Sequence, residues 1–234
     1  MSRIINTFTG KRYAVSHISY YLGNNASTHS GRVQNRQLEV ERKFLVTPAA
    51  IVYLRSNGGG SGFKRYESLG KQTTHDTYYD RNNVLFSKGV YIRRRNGHWE
   101  AKIRSGGDFI NSAFTEIDGK NPVKEVVEQN LPVTADGRGI EEILNPCAEF
   151  VTERESWMID GSFKVDVDTT DFGNTVGEVE LTRTLRYADG EEGETNIREK
   201  MDQEIRAFMQ SCPQAFPAGR PLGKLSAYFN QAQK

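Results

Sequence analysis

Hydrophobic and polar positions alternate with period two along much of this chain, and such stretches predict β-strands. In Leu38-Glu39-Val40-Glu41-Arg42-Lys43-Phe44, the side chains of Glu39, Glu41 and Lys43 share one face, and Val40 and Phe44 share the other. Val176-Gly177-Glu178-Val179-Glu180-Leu181 has the same pattern, with Glu178 and Glu180 opposite Val179 and Leu181. Paired carboxylates at period two, on two strands far apart in sequence, are what a hard divalent cation requires of a β scaffold. A charged strand face is ordinarily a solvated one, so a single E-x-E decides nothing alone.

The same alternation predicts strands over 73–80, 109–117, 149–160 and 163–168. Val90 to Arg95 and His98 to Arg104 flank Asn96-Gly97, the signal of a type I′ hairpin. Helical spacing predicts helices over 48–55, 121–130, 139–144, 194–210 and 222–230. Thr47 is placed to cap the first, and Pro48 suits its first turn. Val123, Val126 and Val127 form one side of the second. Ile197, Met201, Ile205, Phe208 and Met209 lie near one stripe of the helix over 194–210. The glycine run at 58–62 lacks the G-K-[ST] ending of a P-loop and reads as a flexible loop.

Composition narrows the class. The chain has 234 residues, enough for a core without staples, and a net charge of +1 with 26% charged residues. That balance implies no nucleic-acid partner, and no apolar run approaches the roughly 18 residues of a membrane span. The two cysteines, Cys147 and Cys212, lie in no metal-ligand spacing and read as free thiols. Residues 1–38 carry Arg3, Lys11, Arg12, Arg32 and Arg36 but no Asp or Glu. We read residues 1–37 as an N-terminal extension, disordered or targeting, ahead of a domain over 38–234. The expected compartment is cytoplasmic, with mitochondria the alternative raised by that acid-free start.

Nearly every strand puts apolar residues on one face and charges on the other, with helices interspersed. If the helices cover the apolar outside of a closed barrel, the charges line its interior. The acids there would be Glu39, Glu41, Glu116, Asp166, Glu178 and Glu180. The bases would be Lys43, Arg93, Arg95, Lys102, Arg154 and Lys224. Interleaved signs stay ionised where one sign could not. Such a lumen suits a phosphate chain clamped by Arg and Lys, with Mg²⁺ between phosphate and carboxylate. Phosphoryl transfer needs positioning and charge more than a covalent nucleophile. Trp99 and Trp157 read as packing residues, and His98 as an exposed turn residue.

These residues resemble a known family. E-x-E-x-K from Glu39 is the mark of the CYTH superfamily, the triphosphate tunnel metalloenzymes. Other segments are similar to its thiamine-triphosphatase branch. They are E-V-E-R-K-F at Glu39, D-T-Y-Y-D at Asp76, R-R-R at Arg93, W-E-x-K at Trp99 and F-V-T-x-R at Phe150. The longest is V-D-x-D-T-x-D-F-G-x-x-V-G-E-V-E from Val165 to Glu180. The resemblance implies an α+β fold, an eight-stranded antiparallel β-barrel, the triphosphate tunnel, flanked by helices. It implies metal ligation by Glu39, Glu41, Asp166, Glu178 and Glu180. It places Lys43, Arg93, Arg95, Lys102, Arg154 and Lys224 on phosphate, and Glu116 at a further acidic tunnel position. Tyr78 matches a position acting with Lys43 near the reacting phosphate. Tyr91 stands where animal members carry a tryptophan against thiamine.

The expected function is Mg²⁺-dependent hydrolysis of thiamine triphosphate to thiamine diphosphate and phosphate, by a monomer acting on a small molecule. The alternatives are a general tripolyphosphatase or nucleoside triphosphatase, and a phosphate-chain binding module without turnover.

Overall fold

A computed structural model of the chain describes residues 36–108, 110–132, 137–185 and 190–232. The expected N-terminal extension lies outside the described residues, except that Arg36 and Gln37 already belong to the first strand. Phe109, expected to open a strand, also lies outside them.

Eight strands are joined in antiparallel pairs into a closed barrel. They are β1 (Arg36–Phe44), β2 (Tyr66–Asp80), β3 (Val90–Arg95), β4 (His98–Gly107), β5 (Asn111–Asp118), β6 (Asn145–Ile159), β7 (Phe163–Thr170) and β8 (Thr175–Leu185). The order round the ring is β1-β5-β4-β3-β2-β6-β7-β8, returning to β1. The first and last strands pair directly, so the two E-x-E segments become neighbours.

The apolar faces look outward and are covered by helices. Leu38, Val40 and Phe44 of β1 pack with Val179 and Leu181 of β8 against Met201, Ile205 and Phe208 of α5 (Gly190–Ser211). The stripe predicted on that helix is the buried one. On the other side, Ile92, Trp99 and Ala101 meet Val123, Val126 and Val127 of α3 (Lys120–Asn130) and Ile140 and Ile143 of α4 (Ile140–Ile143). Trp157 is buried in the first of these cores, so both tryptophans pack as expected.

Local chemistry fixes the connections. The Thr47 hydroxyl accepts from the Ala50 N–H at 3.2 Å and caps α1 (Pro48–Ser56). Asn96 and Gly97 both take positive φ, 48° and 85°, as a type I′ turn requires. The glycine run is more ordered than expected, because Gly58–Gly60 form a 3₁₀ turn after Asn57. The Asn57 carbonyl accepts from Gly60 and Gly62, and its side chain bonds Phe63 in both directions. The short helix α2 (Val84–Ser87) was not legible; Asp80 holds it by accepting from the Leu85 and Phe86 N–H groups at 3.0 and 2.9 Å. Strand β2 starts earlier than 73, because its first half pairs with β6 alone. Gly177 lies opposite Phe44, where a Cβ would stand 2.2 Å from the phenyl ring.

A third cluster joins β2 and β6 to the C-terminal helix. Tyr78, Ala148 and Phe150 of the strands meet Phe86, Tyr91 and Phe172, together with Leu225, Tyr228 and Phe229 of α6 (Lys224–Ala232). Helix α6 begins at Lys224, whose ammonium reaches the charged interior.

Candidate active site

Register decides which charges meet. Between β1 and β8, Glu41 lies opposite Glu180, and Lys43 opposite Glu178. Between β7 and β8, Asp166 lies opposite Glu178, and Lys164 opposite Glu180. The expected metal carboxylates Glu39, Glu41, Asp166, Glu178 and Glu180 thus come from three strands adjacent in the ring. Glu39, Glu41, Asp166 and Glu178 are buried.

Cations interleave them. Lys102 bonds Glu39 and Glu116, each at 2.7 Å. Lys43 pairs with Glu41 and stands 3.6 Å from Glu178. Arg154 forks onto Asp168 through two bonds of 2.6 Å and reaches Asp166 at 2.5 Å and Glu178 at 3.5 Å. Lys224 pairs with Asp168 and stands 3.6 Å from Glu178. Arg93 bonds Glu100 at 2.5 Å, and Arg95 forks onto Asp76 through two bonds of 2.7 Å. Each expected phosphate-binding residue therefore lies in a belt of ion pairs, as does Glu116; Lys43, Arg154 and Lys224 share Glu178, whereas Lys102, Arg93 and Arg95 form separate pairs.

The two residues expected to be catalytic stand on different strands, β1 and β2. Lys43 lies between Glu41 and Glu178, whereas Tyr78 is opposite Arg93 across β2 and β3, where its phenol supports the guanidinium. Tyr78 also stacks on Phe150, with centroids 5.7 Å apart. Tyr91 lies opposite Lys102 and packs against Phe86 and Phe114. His98 is exposed.

The fields are strong because water is largely excluded. Burial alone would raise the Glu178 carboxyl, but Lys224, Lys43 and Arg154 outweigh it and hold the group well below the usual range. Burial would lower the Lys43 ammonium, yet Glu41 and Glu178 raise it. Glu180 behaves differently. Burial, and then the carboxylate of Glu39, push it up to about 7, with Lys164 opposing and Asp166 adding to the rise. The β1–β7–β8 wall is therefore locally short of positive charge.

That shortage, and a donor set made only of carboxylate oxygens, fits a hard divalent cation. As the side chains stand, each carboxylate is turned onto a lysine or arginine, and no three converge as a ready-made cation cage among the described residues. The backbone places them on adjacent strands; binding a cation would exchange ion pairs for metal–oxygen bonds.

Sequence reasoning missed several members of the belt. Asp76 and Asp168 are completely buried and take the two forked arginine pairs. Lys164 bridges Asp166 and Glu180, each at 2.8 Å, and Ser156 donates to Asp166 at 2.7 Å. Asp76 and Tyr78 were visible as one strand face, and so were Lys164, Asp166 and Asp168. Their partners were not, because pairing across the ring depends on register.

The cysteines take no part. Burial and the charge of Asp80 push the Cys147 thiol up to about 11, and Cys212 is buried beside α5.

A closed antiparallel ring with apolar residues outside and balanced charges inside defines a tunnel-type barrel, and comparison with known proteins agrees. The CYTH domain family model matches residues 37–207, so the chain belongs to that family. Among curated proteins it is similar to thiamine-triphosphatase of Homo sapiens, 33% identical in an alignment of 162 positions that covers 61% of this chain and 67% of that protein. The Macaca fascicularis thiamine-triphosphatase matches to the same extent. Among solved structures, a Hippeastrum protein described as a candidate adenylyl cyclase with a dominant triphosphatase activity aligns with TM-score 0.53 at 16% identity, covering 83% of this chain and 96% of that one. The PH1819 protein of Pyrococcus horikoshii aligns with TM-score 0.50 at 14% identity, over 82% and 99%. At these identities both likenesses are of the fold.

Proposed function

We propose that this chain is a hydrolase that converts thiamine triphosphate to thiamine diphosphate and phosphate, with Mg²⁺ as its cation and residues 38–234 as the tunnel domain. The observation that carries the reading is the gathering of Lys43, Arg154 and Lys224 round the single carboxylate of Glu178, at 3.6, 3.5 and 3.6 Å. A carboxylate so surrounded occupies the kind of place that a phosphoryl group, with more charge and more acceptor oxygens, fills better. Similarity to the two thiamine-triphosphatases supports the choice of substrate.

In this reading Lys43, Arg93, Arg95, Lys102, Arg154 and Lys224 leave their carboxylate partners for the phosphate chain. Glu39, Glu41, Asp166, Glu178 and Glu180 then hold the cation, and Glu116 completes the acidic rim beside Lys102. Bound there, Mg²⁺ would neutralise charge on the phosphoryl oxygens. The forked guanidiniums of Arg93, Arg95 and Arg154 fix the chain in line, and Lys43 sets a fixed ammonium beside the reacting phosphorus. Water attacks the terminal phosphorus, the bridging P–O bond breaks toward thiamine diphosphate, and the Tyr78 oxygen takes the proton of the water. Tyr91 lies against the organic end.

The test is phosphate release with Mg²⁺ from thiamine triphosphate, tripolyphosphate and ATP, side by side. Preference for thiamine triphosphate by about a hundredfold, roughly 2.8 kcal/mol of discrimination, supports the specific reading. Equal rates support a general triphosphatase, which the belt also favours because its charges address only phosphates and metal. Tight binding without release supports a binding module.

A further inference from the structure

The aromatic residues round Tyr91 have cations of their own. The guanidinium of Arg104, on β4, stands 5.8 Å from the Tyr91 ring centroid and 5.4 Å from that of Phe114. Its Nη2 donates to the Tyr91 hydroxyl at 3.0 Å, and its Nη1 donates to the Asp108 carbonyl at 2.7 Å. Arg104 lies directly opposite Phe114 across β4 and β5, so the contact is fixed by register as well as by side-chain bonds. The Lys102 ammonium lies 5.5 Å from the same Phe114 ring. Two cations therefore stand near the Phe114 ring, and one of them also holds the Tyr91 hydroxyl.

This bears on substrate choice. Tyr91 lies directly opposite Lys102 across β3 and β4, so in the triphosphatase reading a phosphate held by Lys102 has the aromatic cluster that contains Tyr91 beside it. An aromatic face attracts a cation through its quadrupole. A ring with a tethered guanidinium already beside it has less of that attraction to offer, and a second cation close by meets like charge in a partly desolvated site. A neutral or absent head group meets no such repulsion. All triphosphates share whatever attraction Arg104 offers to phosphate, so this cancels in a comparison between substrates.

We propose that Arg104 is a specificity-determining residue which, through its place on Tyr91 and Phe114, disfavours triphosphates with a cationic head relative to neutral or bare ones. The inference rests on the triphosphatase reading and deepens it: thiamine triphosphate is turned over, but its thiazolium charge is tolerated rather than sought.

The test measures kcat/KM for thiamine triphosphate and for tripolyphosphate with the full chain and Mg²⁺, and takes their ratio. In Arg104→Met the ratio rises about tenfold, whereas in Arg104→Lys, which keeps the charge, it stays near the wild-type value. An unchanged ratio in Arg104→Met, or the same rise in Arg104→Lys, overturns the proposal and leaves the triphosphatase reading standing. A second measurement needs no variant. The wild-type chain is given thiamine triphosphate and its isostere with a neutral thiophene in place of the thiazolium. The neutral compound is expected to be favoured by about tenfold; equal values, or preference for the cation, overturn the proposal even if the variants fail to fold. If the wild-type chain releases phosphate from none of these compounds, the triphosphatase reading fails, and this inference with it.

Discussion

Glu41 of β1 and Glu180 of β8 lie directly opposite each other across an antiparallel pair, both facing the tunnel interior. Like charges so placed repel, and a sheet built only for stability would not keep them. Glu41 relieves the conflict through Lys43 and Glu180 through Lys164. The arrangement makes sense if a cation is meant to lie between them.

Replacing Glu41 by Gln is therefore expected to lower Mg²⁺-dependent turnover by orders of magnitude, the scale on which lost charge stabilisation acts. Folding should survive, because the apolar core lies outside the barrel wall. Steady-state phosphate release and thermal unfolding, measured together, check this. Loss of the fold in place of loss of turnover would make these charges structural pairs.

Tyr78→Phe tests the proton acceptor. Removal of a general base typically costs about 10²- to 10⁴-fold, so turnover should fall and its alkaline dependence should change. Unchanged rate and unchanged pH profile would leave Tyr78 with only its structural contacts to Arg93 and Phe150.

Asp76 links stability to pH. Burial would raise its carboxyl, but Arg95, then Arg93 and Lys224, outweigh burial and hold it below the ordinary aspartate value of about 3.9. A depressed folded pKa means that the unfolded chain takes up the proton first as the solution is acidified. The stabilisation is therefore full above about pH 4 to 5 and is lost as pH falls through the depressed value. Asp76→Asn leaves the half-buried Arg95 without its forked partner and should cost about 1.5 to 3 kcal/mol at pH 7, the scale of a hydrogen bond to a charged group. Urea unfolding at several pH values should show the gap to wild type closing toward pH 3. A gap independent of pH would refute the linkage.

Cys147 should resist alkylation. A thiol pushed up to about 11 is almost entirely protonated at pH 8, and thiolate is the reactive form. Native-state labelling with iodoacetamide at pH 8 is expected to be at least about tenfold slower than for free cysteine, with triphosphatase turnover retained. Rapid labelling with loss of turnover would bring a cysteine into the chemistry.

Period-two alternation determined much by itself. It placed Glu39, Glu41 and Lys43 on one face of β1 and Glu178 and Glu180 on one face of β8, because successive side chains of a strand must point to opposite sides. The Asn-Gly turn, the Thr47 cap and the buried stripe of α5 were legible for the same reason: each rests on contacts within a few residues. Even the inversion of the barrel followed, since apolar strand faces must meet the apolar faces of helices.

Only the tertiary structure decided which charges are partners. Arg154 takes Asp168 and Asp166, Arg95 takes Asp76, and Lys164 rather than Lys43 bridges Asp166 and Glu180. Apart from Lys164–Asp166, which lie on one strand, those pairs join residues on different strands, and a one-residue slip in register would exchange each of them. The contact of Arg104 with Phe114 was decided in the same way: Asn96-Gly97 announces the β3–β4 hairpin, but the β4–β5 register, with its shift between Arg104 and Gly106, and the packing that brings the guanidinium to Phe114 and Tyr91 belong to the folded sheet.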